Sequence, residues 1–149
     1  MKKSKRDYLP NVSANFWLID ETFARIVEKE KKKGARALSD PERVVGLIWH
    51  VYGIIGNGGL PYFFEFTFNV EEVALAYEAL GMKKSASILR KAIAKFPNAR
   101  RPADFKKFIE FINEHEVFFN SLSTRFWETQ ADIEEVLASY IRKHSDAFS

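Results

Sequence analysis

Apolar residues along this chain recur mostly at helical spacing. Phe16, Ile19, Phe23, Ile26 and Val27 stand at i, i+3, i+7, i+10 and i+11, which predicts a helix over 13–33 with Gly34 as its C′ stop. Ser39-Asp40-Pro41-Glu42 is a start signal: a side-chain acceptor can cap the first orphan N–H groups, and proline loses nothing at the first helical position. In the helix that follows, Val44, Val45, Leu47, Ile48, Val51, Tyr52 and Ile55 cover nearly the whole circumference, so it is expected to lie at the centre of the fold with neighbours on most sides. Gly56-Asn57-Gly58-Gly59 is expected to end it, with Gly58 or Gly59 at positive φ.

One segment has the other period. Phe64, Phe66, Phe68 and Val70 alternate with Glu65, Thr67 and Asn69, as a half-buried strand would. Nothing else in the chain alternates this way. A lone strand leaves its backbone donors and acceptors unpaired, so the segment is read as a short helix. Beyond it, Val70, Val73, Ala74, Tyr77 and Leu80 form a stripe closed by Gly81. Ala86, Leu89, Ile93 and Phe96 form another closed by Pro97, and the two make a helical hairpin. Further stripes are Phe105, Phe108, Ile109 and Ile112; Phe118, Leu122 and Phe126; and Ile133, Val136, Leu137, Tyr140 and Ile141. The short connections imply antiparallel neighbours. The expected fold is all-α: a basic N-terminal arm over 1–12, then one compact domain of seven or eight helices over 13–149.

Composition agrees with a globular core. Hydrophobic residues make up 46% of the 149 positions and Gly plus Pro only twelve, which excludes collagenous, low-complexity and globally disordered chains. With no cysteine there is neither a disulfide nor a thiolate ligand, which suits a reducing compartment, and the expected location is cytoplasmic. Lys2, Lys3, Lys5 and Arg6 are followed by Asp7, Tyr8, Leu9 and Pro10 rather than by the apolar stretch of a signal peptide. The longest apolar run, 44–55, is too short to span a membrane, and no membrane partner is expected.

Charge is segregated. Residues 83–107 hold nine bases against Asp104, a net of +8, whereas 108–149 hold eight acids against three bases, a net of −5. Lys84, Ser87, Lys91 and Lys95 lie on one stripe of the predicted 83–96 helix, and Arg100-Arg101 carry the charge into the following loop. Lys84, Lys91, Lys95, Arg100 and Arg101 are therefore candidate polyanion ligands, although a solvated face explains the pattern too: no aromatic residue interleaves with them to stack bases, and no reader motif is visible.

Catalytic chemistry finds little to stand on. His50, His115 and His144 have no metal-ligand spacing to a second His or a carboxylate. His115 is expected at the surface or at a cap, and His50, on the apolar helix, as a buried hydrogen-bonded histidine that could alternatively serve as an acid or base in a cleft. Glu71-Glu72 and Glu134-Glu135 are adjacent pairs that diverge on a helix and fit its first turn. No catalytic residue, metal site or cofactor is assigned.

Asn57-Gly58-Gly59-Leu60-Pro61-Tyr62-Phe63-Phe64 resembles the Asn-Gly-Gly-Phe-x-Gln-Phe-Phe signature of a bacterial family of unknown function whose best-known member is a DNA-mimic protein. The similarity runs over about residues 44–144, through Ala79-Leu80-Gly81, Phe96-Pro97, Arg125-Phe126-Trp127-Glu128 and the 136–142 stretch. Here Leu60 replaces the aromatic and Tyr62 the glutamine. The resemblance implies an all-helical fold and a helical 63–68 segment, and its members share a domain rather than a demonstrated activity. A DNA mimic presents carboxylates at phosphate-like spacing, whereas this chain carries a net +3, so mimicry is not inferred. Asn57, Gly58, Gly59, Phe63 and Phe64 are read as a structural motif, a tight turn that lets one helix pack close to the next, with a ligand site as the alternative. The expected role is a non-enzymatic protein-interaction domain, open to a regulatory use, with a partner and oligomeric state that the residues leave open. A nucleic-acid-associated protein using 83–107 and an enzyme with an unfamiliar site near His50 are the alternatives.

Overall fold

The computed structural model describes residues 11–148, so the 1–12 arm, but for its last two residues, lies outside the described residues. Among the described residues every regular element is helical and no strand occurs. The α-helices are α1 (Ala14–Lys33), α2 (Asp40–Glu65), α3 (Val70–Ala79), α4 (Lys83–Lys95), α5 (Phe105–Glu114), α6 (Glu116–Glu128) and α7 (Ile133–Lys143), with 3-10 turns at Ala35–Ala37, Pro97–Ala99 and Ser145–Ala147. None is long and apolar enough to cross a membrane. Contacts group the chain into two compact units, one of Met1–Gly46 and Ile133–Ser149, the other of Leu47–Asp132.

In the first unit α1 packs on α7. The Ser13 hydroxyl caps α1 by accepting the Phe16 N–H at 3.1 Å and donates to Glu134 at 3.1 Å. The buried stripe of α1 is Trp17, Ile19, Thr22 and Ile26, rotated from the expected one; Val27 is exposed and Phe16 and Phe23 are half-buried. Thr22 can take a core position because its hydroxyl donates to the Leu18 carbonyl at 2.6 Å, leaving no unpaired proton. Gly34, at φ +85°, ends the helix as expected.

The start of α2 is a reciprocal capping box. The Ser39 hydroxyl accepts the Glu42 N–H at 3.2 Å, and the Glu42 carboxylate accepts the Ser39 N–H at 2.9 Å and the Lys29 ammonium at 2.9 Å. Glu42 is only 3% exposed. Burial pushes its pKa up, but the Ser39 N–H and hydroxyl and the Lys29 ammonium outweigh that and hold the carboxyl below its ordinary 4.5. With the folded value below the unfolded one, the stabilisation is complete above the unfolded value and is lost as pH falls through the folded one. Glu42→Gln is expected to lower stability at neutral pH by about 1–3 kcal/mol. It should also flatten the acid limb: melting temperatures of the two proteins should converge as pH falls through the folded Glu42 value. A gap that persists at low pH would mean the Glu42 charge is not what matters.

In the second unit α3 and α4 form the expected hairpin. Its turn places Gly81 at φ +78° and lets the Met82 N–H return to the Tyr77 carbonyl at 2.9 Å. Arg90 closes the pair by donating to Glu71 at 2.7 and 3.1 Å and to Glu78. Helices α4 and α6 run antiparallel, since Ser85 meets Thr129 at one end and Lys95 meets Phe118 at the other. The core is rich in aromatic rings: Phe63, Phe64, Tyr77, Phe96, Phe108, Phe119 and Phe126 are buried.

One buried polar network crosses this core. Gln130 donates to Ser85 at 3.1 Å and Thr129 at 2.9 Å, and accepts from the Tyr77 hydroxyl at 3.2 Å. Thr129 uses its own proton on the Phe126 carbonyl at 2.6 Å, so Ser85 must donate in the 2.7 Å contact between the two hydroxyls. Each side-chain proton then has an acceptor. Burial, with Tyr52 adding to it, pushes the Tyr77 pKa far up, which keeps that donor protonated.

α2 breaks within the Gly56–Gly59 stretch as expected, with Gly59 at positive φ, but the chain then resumes as helix to Glu65 with Pro61 in the first turn of the new segment, where proline is tolerated. Most of 44–55 is buried or half-buried, and one stripe stays open. Val45, Ile48, Val51, Ile54 and Ile55 are buried, whereas His50, Gly53, Gly56 and Asn57 form an exposed face at i, i+3, i+6 and i+7. The short-helix reading of the alternating segment holds for Phe64 and Glu65; 66–69 is irregular, because Asn69 turns its side chain to cap α3 by accepting the Glu72 N–H at 3.1 Å.

Candidate functional site

The Gly-Gly motif begins with backbone conformation. Gly59 sits at φ 70°, ψ −165°, a region in which a residue with a Cβ is strained. The break frees the Leu60 N–H, which is buried, and the hydroxyl of Ser123 on α6 accepts it at 2.9 Å while donating to the Phe119 carbonyl at 2.8 Å. One hydroxyl thus caps the second segment of α2 and satisfies its own helix. Gly58 has a different constraint: a Cβ there would stand 2.5 Å from the Tyr62 Cβ. Phe63 and Phe64 point from this segment into the core, Phe63 stacked on Phe68 at 5.4 Å and Phe64 edge-on to Phe96 at 5.0 Å.

The turn has a second face. Asn57, Gly58, Pro61, Tyr62 and Glu65 form one wall of a groove of about 430 Å³, and Phe108, Ile109 and Ile112 of α5 form the other. Tyr62 touches Phe66 edge-on at 5.2 Å, and Phe108 touches Phe105 at 5.9 Å, so exposed rings extend the groove on both sides: Tyr62 is 36%, Phe66 38% and Phe105 53% exposed. Arg101 lies with its guanidinium 4.4 Å over Phe108 and one nitrogen donating to the Pro102 carbonyl at 3.2 Å. Its Nε is buried without a partner in the protein.

The five basic candidates therefore separate. Lys84, Lys91 and Lys95 are exposed on the outer stripe of α4, Arg100 is exposed in the loop, and Arg101 packs on the Phe108 ring instead of joining them. Lys95 places its ammonium 5.0 Å from the centre of the Phe118 ring. Two residues that the sequence does not assign to this face belong to it: Phe118 and Arg125, both from α6. Arg125 lines a cleft of about 810 Å³ with Lys83, Lys84 and Glu128. No local signal reveals either, because they meet α4 only through the antiparallel packing.

His50 corrects its expectation. It is exposed, edge-on to Phe68 at 5.5 Å, because it falls on the outward face of α2. His115 stands at the junction of α5 and α6, its Nδ1 2.9 Å from the Phe111 carbonyl and its ring 4.2 Å from the Phe111 ring. His144 repeats the arrangement on Tyr140. Glu71 is engaged by Arg90, which holds its carboxyl below the ordinary value, and Glu134 by Ser13. Among the described residues no group of three His, Asp or Glu side chains is placed to hold a metal ion.

No curated protein and no solved structure matches the chain significantly. A family model described as DMP19-like protein matches residues 36–144, a stretch that holds the Gly-Gly turn, both walls of the groove and the basic face of α4. With most of its length matched, the chain belongs to the DMP19-like protein family.

Proposed function

We propose that this protein is a non-enzymatic protein-interaction domain that holds its partner in the groove beside the Gly-Gly turn. The observation that carries this reading is the set of exposed rings around the groove, Tyr62 with Phe66 beside one wall and Phe105 against the buried Phe108 of the other. Leaving three large rings exposed to water gains nothing for folding, whereas an apolar centre with aromatic side chains and a polar rim is the composition of binding hot spots. The groove is narrow enough to take one or two apolar side chains of a partner protein, with Asn57 and Glu65 at its lip to fix orientation. DNA mimicry is not part of the proposal, since a net charge of +3 and the basic stripe on α4 oppose a phosphate-like surface.

A photoreactive amino acid placed at position 105 in the source cell tests it. One defined protein is expected to cross-link there, and Ile109→Asp, which puts a charge on the groove wall, should abolish the adduct while leaving the melting temperature within a few degrees. The same reagent at Ala131, an exposed position away from the groove, should give no adduct. Equal labelling at both positions, or an adduct untouched by Ile109→Asp, defeats the proposal. An adduct between two copies of this chain would replace the foreign partner with self-association.

A further inference from the structure

We infer that the cleft between α4 and α6 is a second binding site, built for an acidic polypeptide segment with an apolar side chain among its carboxylates. The site does not depend on the groove beside the Gly-Gly turn. Its cations come from two helices: Lys83 and Lys84 open α4, and Arg125 faces them from α6 across about 810 Å³ of open volume. Among the described residues none of the three, nor Lys91 farther along α4, has an ion-pair partner, while Arg90, on the other side of the same helix, is engaged by Glu71 and Glu78. The free charge is thus concentrated on one side of α4 by the neutralisation of the other.

Spacing and lining favour a peptide. Lys84, Lys91 and Lys95 are seven and four residues apart, hence about 10 and 6 Å along the helix axis. An extended chain rises about 3.3 Å per residue, so carboxylates three and two residues apart would meet them in turn. Between the cations, Met82 and Ile88 offer an apolar floor for an intervening aliphatic side chain. A nucleic acid fits less well. Its stacking partner would be Phe118, whose ring already carries the Lys95 ammonium, and the cleft lining itself has no aromatic side chain on which a base could stack.

The test uses four labelled probes at physiological salt: a twelve-residue peptide with Glu at every second or third position around a central Leu, its Gln counterpart, and single- and double-stranded oligonucleotides of twelve nucleotides. The Glu peptide is expected to bind, the Gln peptide about tenfold or more weakly, and the oligonucleotides more weakly than the Glu peptide. The K84E/R125E protein should lose the Glu peptide by at least about tenfold, whereas K31E/K32E, an equal charge change at the exposed end of α1, should not. The uncharged K84Q/R125Q pair, with circular dichroism melting on every variant, separates loss of binding from loss of fold. Ile109→Asp should bind the Glu peptide normally, so failure of this site and failure of the groove are read separately. Equal loss in K31E/K32E, equal binding of the Glu and Gln peptides, or an oligonucleotide that outcompetes the Glu peptide and is lost in K84E/R125E would each overturn the inference.

Discussion

Replacing Phe96 by alanine is expected to destabilise the protein by about 3–5 kcal/mol, a large part of the total for a domain of this size. Phe96 is 2% exposed at the end of α4, and its ring meets four others: Phe64 and Phe111 at 5.0 Å, Phe119 at 5.3 Å and Phe108 at 6.3 Å. These come from α2, α5 and α6, so one truncation opens a cavity that no single helix can close by shifting. The aromatic pairs add to the loss of apolar burial. Thermal or urea melting measures it, and Phe105→Ala is the control. Phe105 lies on the same kind of stripe but is half-exposed, so its truncation should change stability by less than about 1 kcal/mol while weakening partner binding in the groove. If the two variants melt together, Phe96 is not the hub that its neighbours make it.

The contrast between these phenylalanines marks how far the sequence is readable. Helical periodicity and caps carry most of the fold: Ser13, Ser39, Gly34 and Gly81 lie where their chemistry places helix ends, because capping depends on residues within one turn of each other. What a stripe faces is not local. Val27 and Phe105 complete stripes yet stay exposed, while Thr22, polar by type, is buried once its proton reaches the Leu18 carbonyl. The alternation at 64–70 is the clearest case. It looks like a strand, but Phe63 stacks on Phe68 and Phe66 leans on Tyr62, so ring packing in an irregular connection produces a period of two without any strand pairing.

The candidate sites show the same limit. Lys84, Lys91 and Lys95 are four or seven residues apart on one helix, and their shared face follows from helix geometry alone. Arg101 is adjacent to Arg100 in sequence and was grouped with them, yet it is drawn to the Phe108 ring, a choice decided by α5. Arg125 and Phe118 join the basic face from α6, more than twenty residues away in sequence from Lys95. The Gly-Gly motif was legible as a turn, since its residue types demand one. Its role as a groove wall was not, because Phe108, Ile109 and Ile112 form the opposite wall from a helix some fifty residues later.

Gly59→Val is expected to cost about 2–5 kcal/mol. At Gly59 two penalties coincide. The φ of 70° strains any residue with a Cβ by about 1–3 kcal/mol. The new Cβ would also stand 2.9 Å from the Ser123 hydroxyl oxygen and 3.3 Å from its Cβ. Ser123 cannot simply rotate away, because its hydroxyl is the acceptor for the buried Leu60 N–H, and leaving that donor unpaired costs about another 1–3 kcal/mol. At Gly58 the obstacle is the Tyr62 Cβ at 2.5 Å, which no rotation of the Tyr62 side chain moves, so the backbone of the turn must shift. Gly58→Val should therefore distort the turn and the groove wall together, weakening the cross-link at position 105 and lowering the melting temperature. A double-mutant cycle isolates the contact: in a Ser123→Ala background the Leu60 cap is already gone and the 2.9 Å oxygen is removed, so Gly59→Val should cost at least about 1 kcal/mol less than in the wild type. Additive losses would show that Ser123 does not hold the second segment of α2 in place.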